Sequence, residues 1–177
     1  VWGIEQEIFP DTPAWIKKHL SKEEIINFEL PADLSNAGLI PNAINFIRRA
    51  QEVLKNRIST GLYFMLSPID IAFMVRGETI MYDMYDDPKF VHNLLEKATD
   101  VFIQATRLLK NICGEPVNEG IYERGIYMSN GGVILCEDSA FMLSPDLHRE
   151  FSIPYTKKVL DAFGGGWVHF CGNGAQL

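Results

Sequence analysis

Residues 132–173 read GVILCEDSAFMLSPDLHREFSIPYTKKVLDAFGGGWVHFCGN, and this stretch decides the fold. Val133 to Cys136 is a short apolar run of strand character that stops at two acids, Glu137 and Asp138. Ser144-Pro145 then caps and starts a helix expected to run to Phe163, kinked at Pro154 because proline has no N–H to donate. Gly164-Gly165-Gly166 ends that helix, Trp167 to Cys171 reads as a second strand, and Gly172-Asn173-Gly174 as the turn after it. About thirty residues join the strands, the length a βα unit needs. The two strands should therefore be parallel neighbours, joined by a right-handed crossover.

The same alternation extends toward the N-terminus. Asp86-Asp87-Pro88 is an acidic cap followed by proline at a first helical position. Behind it Val91, Leu94, Leu95, Ala98, Val101, Phe102 and Ala105 hold a stripe at helical spacing that continues to Ile112, and Gly114 closes it. Ile58 to Leu66 reads as a buried strand ending at Ser67-Pro68, where a helix starts toward Arg76-Gly77, with a shorter one across Ile80 to Tyr85. A helix is expected from about Pro41, and Ser21 with Glu24 forms a capping box. The loop-rich start carries Pro10, Pro13 and Pro31, and Glu115 to Asn130 reads as irregular. Strands alternating with helices through short turns predict an α/β fold with a parallel sheet.

Composition narrows the function. The chain has 177 residues, 47% hydrophobic and 22% charged, enough to bury one domain core. A net charge of -7 with 16 dispersed basic residues argues against nucleic acid as a partner. No apolar run reaches the roughly 18 residues of a membrane span. Three cysteines, Cys113, Cys136 and Cys171, make a poor disulfide framework and fit a reducing, cytoplasmic setting. Val1 opens the chain without Met or a leader pattern, so further sequence is expected upstream. Neither a dinucleotide fingerprint nor a phosphate loop follows any strand.

In βα-repeat folds reactive groups collect where strands end. Glu137 and Asp138 stand at such an end and can serve as acid, base or cation partner; the plainer reading is a turn cap and a solvated acid. His169 and Cys171, two apart in a strand, share a face and offer the imidazole and thiolate that zinc prefers. Here the plainer reading is a packed histidine beside a buried thiol. As ligands, their donor atoms should lie within about 4 Å of each other. Cys113 falls at a helix end and Cys136 in the core, while His19, His92 and His148 read as solvated surface.

Several blocks then resemble one family. Ser67-Pro68-Ile69-Asp70-Ile71-Ala72, Arg76-Gly77 and Tyr85-Asp86-Asp87-Pro88 are similar to the "GP-x-DIA … RG … YDDPE" stretch of the uroporphyrinogen decarboxylase superfamily. Glu137-Asp138-Ser139, Leu143-Ser144-Pro145, Arg149-Glu150-Phe151 and Pro154-Tyr155 resemble its "LSPE-x-x-REF-x-x-PY" block. His169-Phe170-Cys171-Gly172-Asn173 resembles the "H-x-CGN" strand of its zinc- and cobamide-dependent methyltransferases. The resemblance implies a (β/α)8 TIM barrel of which residues 1–177 supply only a part, one partial barrel domain whose sheet has open edges.

It also implies a zinc-dependent, corrinoid-linked methyltransferase that moves a methyl group to a small-molecule thiol. On that reading His169 and Cys171 are metal ligands, a third cysteine ligand lies outside this chain, and a methylated corrinoid is co-substrate. A corrinoid protein is a candidate partner. Glu137 and Asp138 are catalytic candidates, and Asp70, Arg76 and Asn173 substrate-binding ones, Arg76 for an anion. Two alternatives stand beside it: a metal-free decarboxylase of a polycarboxylate tetrapyrrole, and a corrinoid- or tetrapyrrole-binding protein without turnover.

Overall fold

The sheet at the centre of the molecule is built from short runs whose residues alternate between two faces. In a computed structural model that describes residues 1–7, 9–11, 15–55, 57–62, 65–121 and 125–172, the order of elements is as follows. An antiparallel pair, β1 (Gln6–Glu7) and β2 (Trp15–Ile16), precedes helices α1 (Lys22–Ile26) and α2 (Ile40–Leu54). Strand β3 (Met65–Leu66) leads into α3 (Pro68–Arg76), α4 (Ile80–Asp86) and the long α5 (Pro88–Cys113). A small antiparallel pair, β4 (Gly120–Ile121) and β5 (Tyr127–Met128), precedes β6 (Val133–Cys136). A 3-10 turn at Asp138–Met142, helices α6 (Pro145–Phe151) and α7 (Ile153–Ala162), and β7 (Gly166–His169) complete the chain.

The three strands β3, β6 and β7 form one parallel sheet in that order. Leu135 pairs with Met65 on one side and Val168 on the other. These residues, with Val133, pack against Phe102 of α5, Val159 of α7 and Phe163. Burying an aliphatic or phenyl side chain of this size contributes roughly 1.5–3 kcal/mol. The opposite face, carrying Leu66, Ile134, Cys136, Trp167 and His169, is open in part: Trp167 is 54% exposed and Leu66 37%, while Cys136 is buried.

Local chemistry explains the joints. Asp87 caps α5 through its side chain on the Phe90 N–H, with Pro88 at a first-turn position, and Gly114 at φ 74 closes the far end. Ser67 caps α3 and Ser144 caps α6 in the same way. Ser21 and Glu24 form the expected capping box at α1. Gly166 is required by close approach, since a Cβ there would lie 2.2 Å from the Val133 carbonyl oxygen of the neighbouring strand.

Four expectations change. The helix from Ser144 to Phe163 is two helices, broken at Ser152 rather than kinked. Pro154 has no N–H and its ring would crowd the carbonyl four residues back, so it sits in the first turn of α7, where that bond is not needed. The strand expected over Ile58 to Leu66 is confined, among the described residues, to Met65–Leu66, and Ile58 is exposed; Tyr63 and Phe64 lie outside them. β7 ends at His169, two residues before Cys171. His148 is buried, not solvated, because α6 turns that face toward the interior beside Leu147 and Phe151. Among the described residues no helix is long and apolar enough to cross a membrane.

Candidate metal centre

Parity along β6 sorts its own residues, and hydrogen bonds sort those that follow it. Leu135 faces the helices, so Cys136 faces the other side; past the strand end, hydrogen bonds show Glu137 turned to the helices and Asp138 to the bend beyond β7. The register completes the arrangement: Cys136 pairs with His169, placing thiol and imidazole side by side at the C-terminal ends of adjacent strands. Cys136, Asp138 and His169 each bring one donor atom, all within 4.8 Å of one another. Cys171 joins them from the bend beyond β7, its Sγ 3.5 Å from His169 Nε2.

Asp138 ties the two strand ends together. Its Oδ1 accepts the Cys171 N–H at 2.8 Å and lies 3.9 Å from His169 Nε2. Its carboxylate is close enough to both thiols, Cys136 and Cys171, to disfavour their thiolate forms. Burial, then the neighbouring Asp138 carboxylate, pushes the Cys136 thiol up to about 12. The Asp138 carboxylate raises the more exposed Cys171 as well. For Asp138 itself, partial burial pushes upward, but the two cysteines and nearby His169 outweigh it and hold the carboxyl below its ordinary value.

Asp70 supports this cluster from behind, while Glu137 turns away from it. Asp70, buried at the start of α3, accepts the Asp138 N–H at 3.1 Å and the Ser139 N–H at 2.7 Å, so it fixes the backbone that carries Asp138. Burial raises its pKa, against the pull of those hydrogen bonds. Glu137 is also buried; its carboxylate accepts from Ser152 and from Thr156 at 2.8 Å, both on the helix side. Arg76 stands at the other end of α3, paired with Asp83 at 2.7 Å and donating to the Leu20 carbonyl. Asn173 lies outside the described residues.

The structure thus gathers Asp138, His169 and Cys171, with Asp70 one step behind, and leaves Glu137 and Arg76 in other networks. Cys136 is buried, as expected of a core residue, but sequence reasoning missed that its thiol lies beside His169. A signal was present, because Cys136-x-Asp138 at the end of one strand repeats the spacing of His169-x-Cys171 at the end of the next. Two thiols, an imidazole and a carboxylate are a donor set that suits zinc. Bonds of roughly 2.0 and 2.3 Å at a tetrahedral angle put nitrogen and sulfur about 3.5 Å apart, the separation found between His169 and Cys171.

Residues 1–111 match the model of the uroporphyrinogen decarboxylase (URO-D) family. The chain belongs to the uroporphyrinogen decarboxylase family. This family member is also similar in structure to a methyltransferase from Methanosarcina mazei, at a TM-score of 0.78 and 19% identity. The match covers 99% of this chain and 48% of that one, so the chain spans about half the length of that structure. At such identity the likeness speaks for the fold. No curated protein matches the chain.

Proposed function

We propose that the protein is a zinc-dependent methyltransferase of the uroporphyrinogen decarboxylase family, and that the chain forms part of an eight-stranded barrel. The observation that carries the reading is the 3.5 Å approach of Cys171 Sγ to His169 Nε2 at the end of a parallel strand. Substrate is a small-molecule thiol and the methyl donor a corrinoid, free or held by a partner protein. A zinc ion held by His169 and Cys171 would lower the pKa of a substrate thiol and keep it a nucleophile at neutral pH.

The chain's own residues prepare that event. Asp70 holds the Asp138 backbone, and Asp138 in turn holds the Cys171 N–H, so the strand ends keep their spacing. His169 is oriented by its place in β7 beside Cys136. The open face of the sheet, with exposed Trp167 and Leu66, offers an apolar floor for a large planar donor.

A second reading follows from the family itself: decarboxylation of a polycarboxylate tetrapyrrole without metal. One assay separates the two. The protein is incubated with methylcobalamin and a small thiol, with and without zinc, and in parallel with uroporphyrinogen. Zinc-dependent thioether formation supports the methyltransferase. Metal-independent release of carbon dioxide sinks it, and binding of either tetrapyrrole without product favours a carrier.

A further inference from the structure

Helix α2 carries more apolar surface than its packing uses. Its inner face seats Ile40 and Ile44 against Leu34 and Ala105, and Gln51 on that face donates to the carbonyls of Ile112 and Cys113. A second stripe runs along its outer side: Leu39, at the N-cap, is 59% exposed, Phe46 76% and Val53 62%. Seven residues fall about 20° short of two helical turns, so the three stand in a row. Phe46 lies midway, about 10.5 Å along the axis from each of the others. The half-buried Ala43 and Ala50, three residues before Phe46 and four after it, let another backbone come close. Single exposed apolar residues are ordinary, but an aligned row of three marks a surface made for a partner.

The row is its own complement under a two-fold rotation. A second α2, turned antiparallel about an axis through Phe46, sets Phe46 on Phe46, Leu39 on Val53 and Val53 on Leu39, the reciprocal pattern of an isologous interface. Charge selects the same direction. Residues 27–38, which lead into α2, hold the acids Glu29 and Asp33 and no base, whereas residues 48–57 hold Arg48, Arg49, Lys55 and Arg57 against one acid, Glu52. Glu29, Asp33 and the four bases are all exposed. Antiparallel pairing lays the basic end of each helix on the acidic approach to the other and opposes the two helix dipoles. Parallel pairing sets Arg49 against Arg49.

We propose that α2 is a homodimer contact, with a second copy of this chain seated antiparallel on Leu39, Phe46 and Val53. The contact is a pair of helices of about four turns, a small interface, so the association is weak and depends on concentration. None of these residues belongs to the metal centre, so the proposal stands apart from the zinc reading.

Sedimentation velocity over a wide range of chain concentration should show a reversible monomer–dimer equilibrium. Phe46→Glu, at an exposed position, should keep the circular dichroism of the wild type and raise the dissociation constant at least about tenfold, the effect of losing one central anchor. Register is read separately, by oxidative cross-linking followed by peptide mapping, which sets aside links made by the native cysteines. A mixture of Leu39→Cys and Val53→Cys chains should give a link between positions 39 and 53, and neither variant alone should link to itself at the new position. A chain that stays monomeric at every concentration, a dimer indifferent to Phe46→Glu, or links from 39 to 39 in place of 39 to 53 overturns the proposal.

Discussion

Cys136 of β6 and His169 of β7 are register partners, held side by side at the C-terminal ends of two parallel strands. Everything distinctive about the site follows from that pairing. It brings a buried thiol beside an exposed imidazole, and it sets Asp138 between them and Cys171.

Asp70 is expected to matter through the backbone it holds. Asp70→Ala leaves the Asp138 and Ser139 N–H groups without their acceptor in a partly buried turn, which costs about 1–2 kcal/mol. Urea unfolding should show that loss, and metal affinity should fall with it. Asp70→Asn retains one acceptor oxygen and should lie between. Unchanged stability in both variants would remove Asp70 from the support of the site.

Glu137 is predicted to be structural despite its position after a strand. Glu137→Ala removes the acceptor of buried Ser152 and Thr156 and should cost about 1–3 kcal/mol. Glu137→Gln should recover much of this, and both should bind zinc like the wild type. A stable Glu137→Gln protein without activity would show instead that the carboxylate takes part in the reaction.

Much of this was legible in the sequence, and what was not has identifiable causes. Caps at Ser21, Ser67, Asp87 and Ser144 are local chemistry, so α1, α3, α5 and α6 begin where expected. The parallel pairing of β6 and β7 followed from the spacing of two apolar runs. Register was not visible, since it depends on how two strands distant in sequence align. Without it the neighbour of buried Cys136 could not be named, and the side to which Glu137 turned could not be told from that of Asp138. The burial of His148 likewise depends on where α6 packs, not on its own residues.

Lys110 is buried on α5 and paired with Glu115 at 2.7 Å, away from the site. Lys110→Met strands the carboxylate and should destabilise the fold by about 3–5 kcal/mol. Adding Glu115→Gln, which is neutral and still accepts the Ile121 N–H, should restore part of that loss. A double variant no better than the single one would show that the charge itself is not the penalty.

The thiols give the metal-free chain a pH signature. Thiolate is the reactive form, and Asp138 raises the Cys171 pKa, so alkylation of Cys171 at neutral pH should be slower than for an ordinary thiol. Asp138→Asn should accelerate it. For stability the sign is fixed by Cys136, whose pKa in the fold, about 12, exceeds the usual thiol value. Its contribution is complete below about pH 8.5 and disappears as pH rises toward that folded value. Melting temperature followed from neutral to alkaline pH should decline over this window, and less so in a folded Cys136→Ser variant.

The most direct test is zinc content, measured on purified wild type and Cys171→Ser after identical loading and removal of loosely bound metal. Replacing a thiolate by a hydroxyl withdraws a soft ligand, so wild type should retain about one zinc per chain and the variant should lose most of it. A wild-type protein that retains no zinc, or a Cys171→Ser protein that retains as much as the wild type, would contradict the zinc-thiolate account.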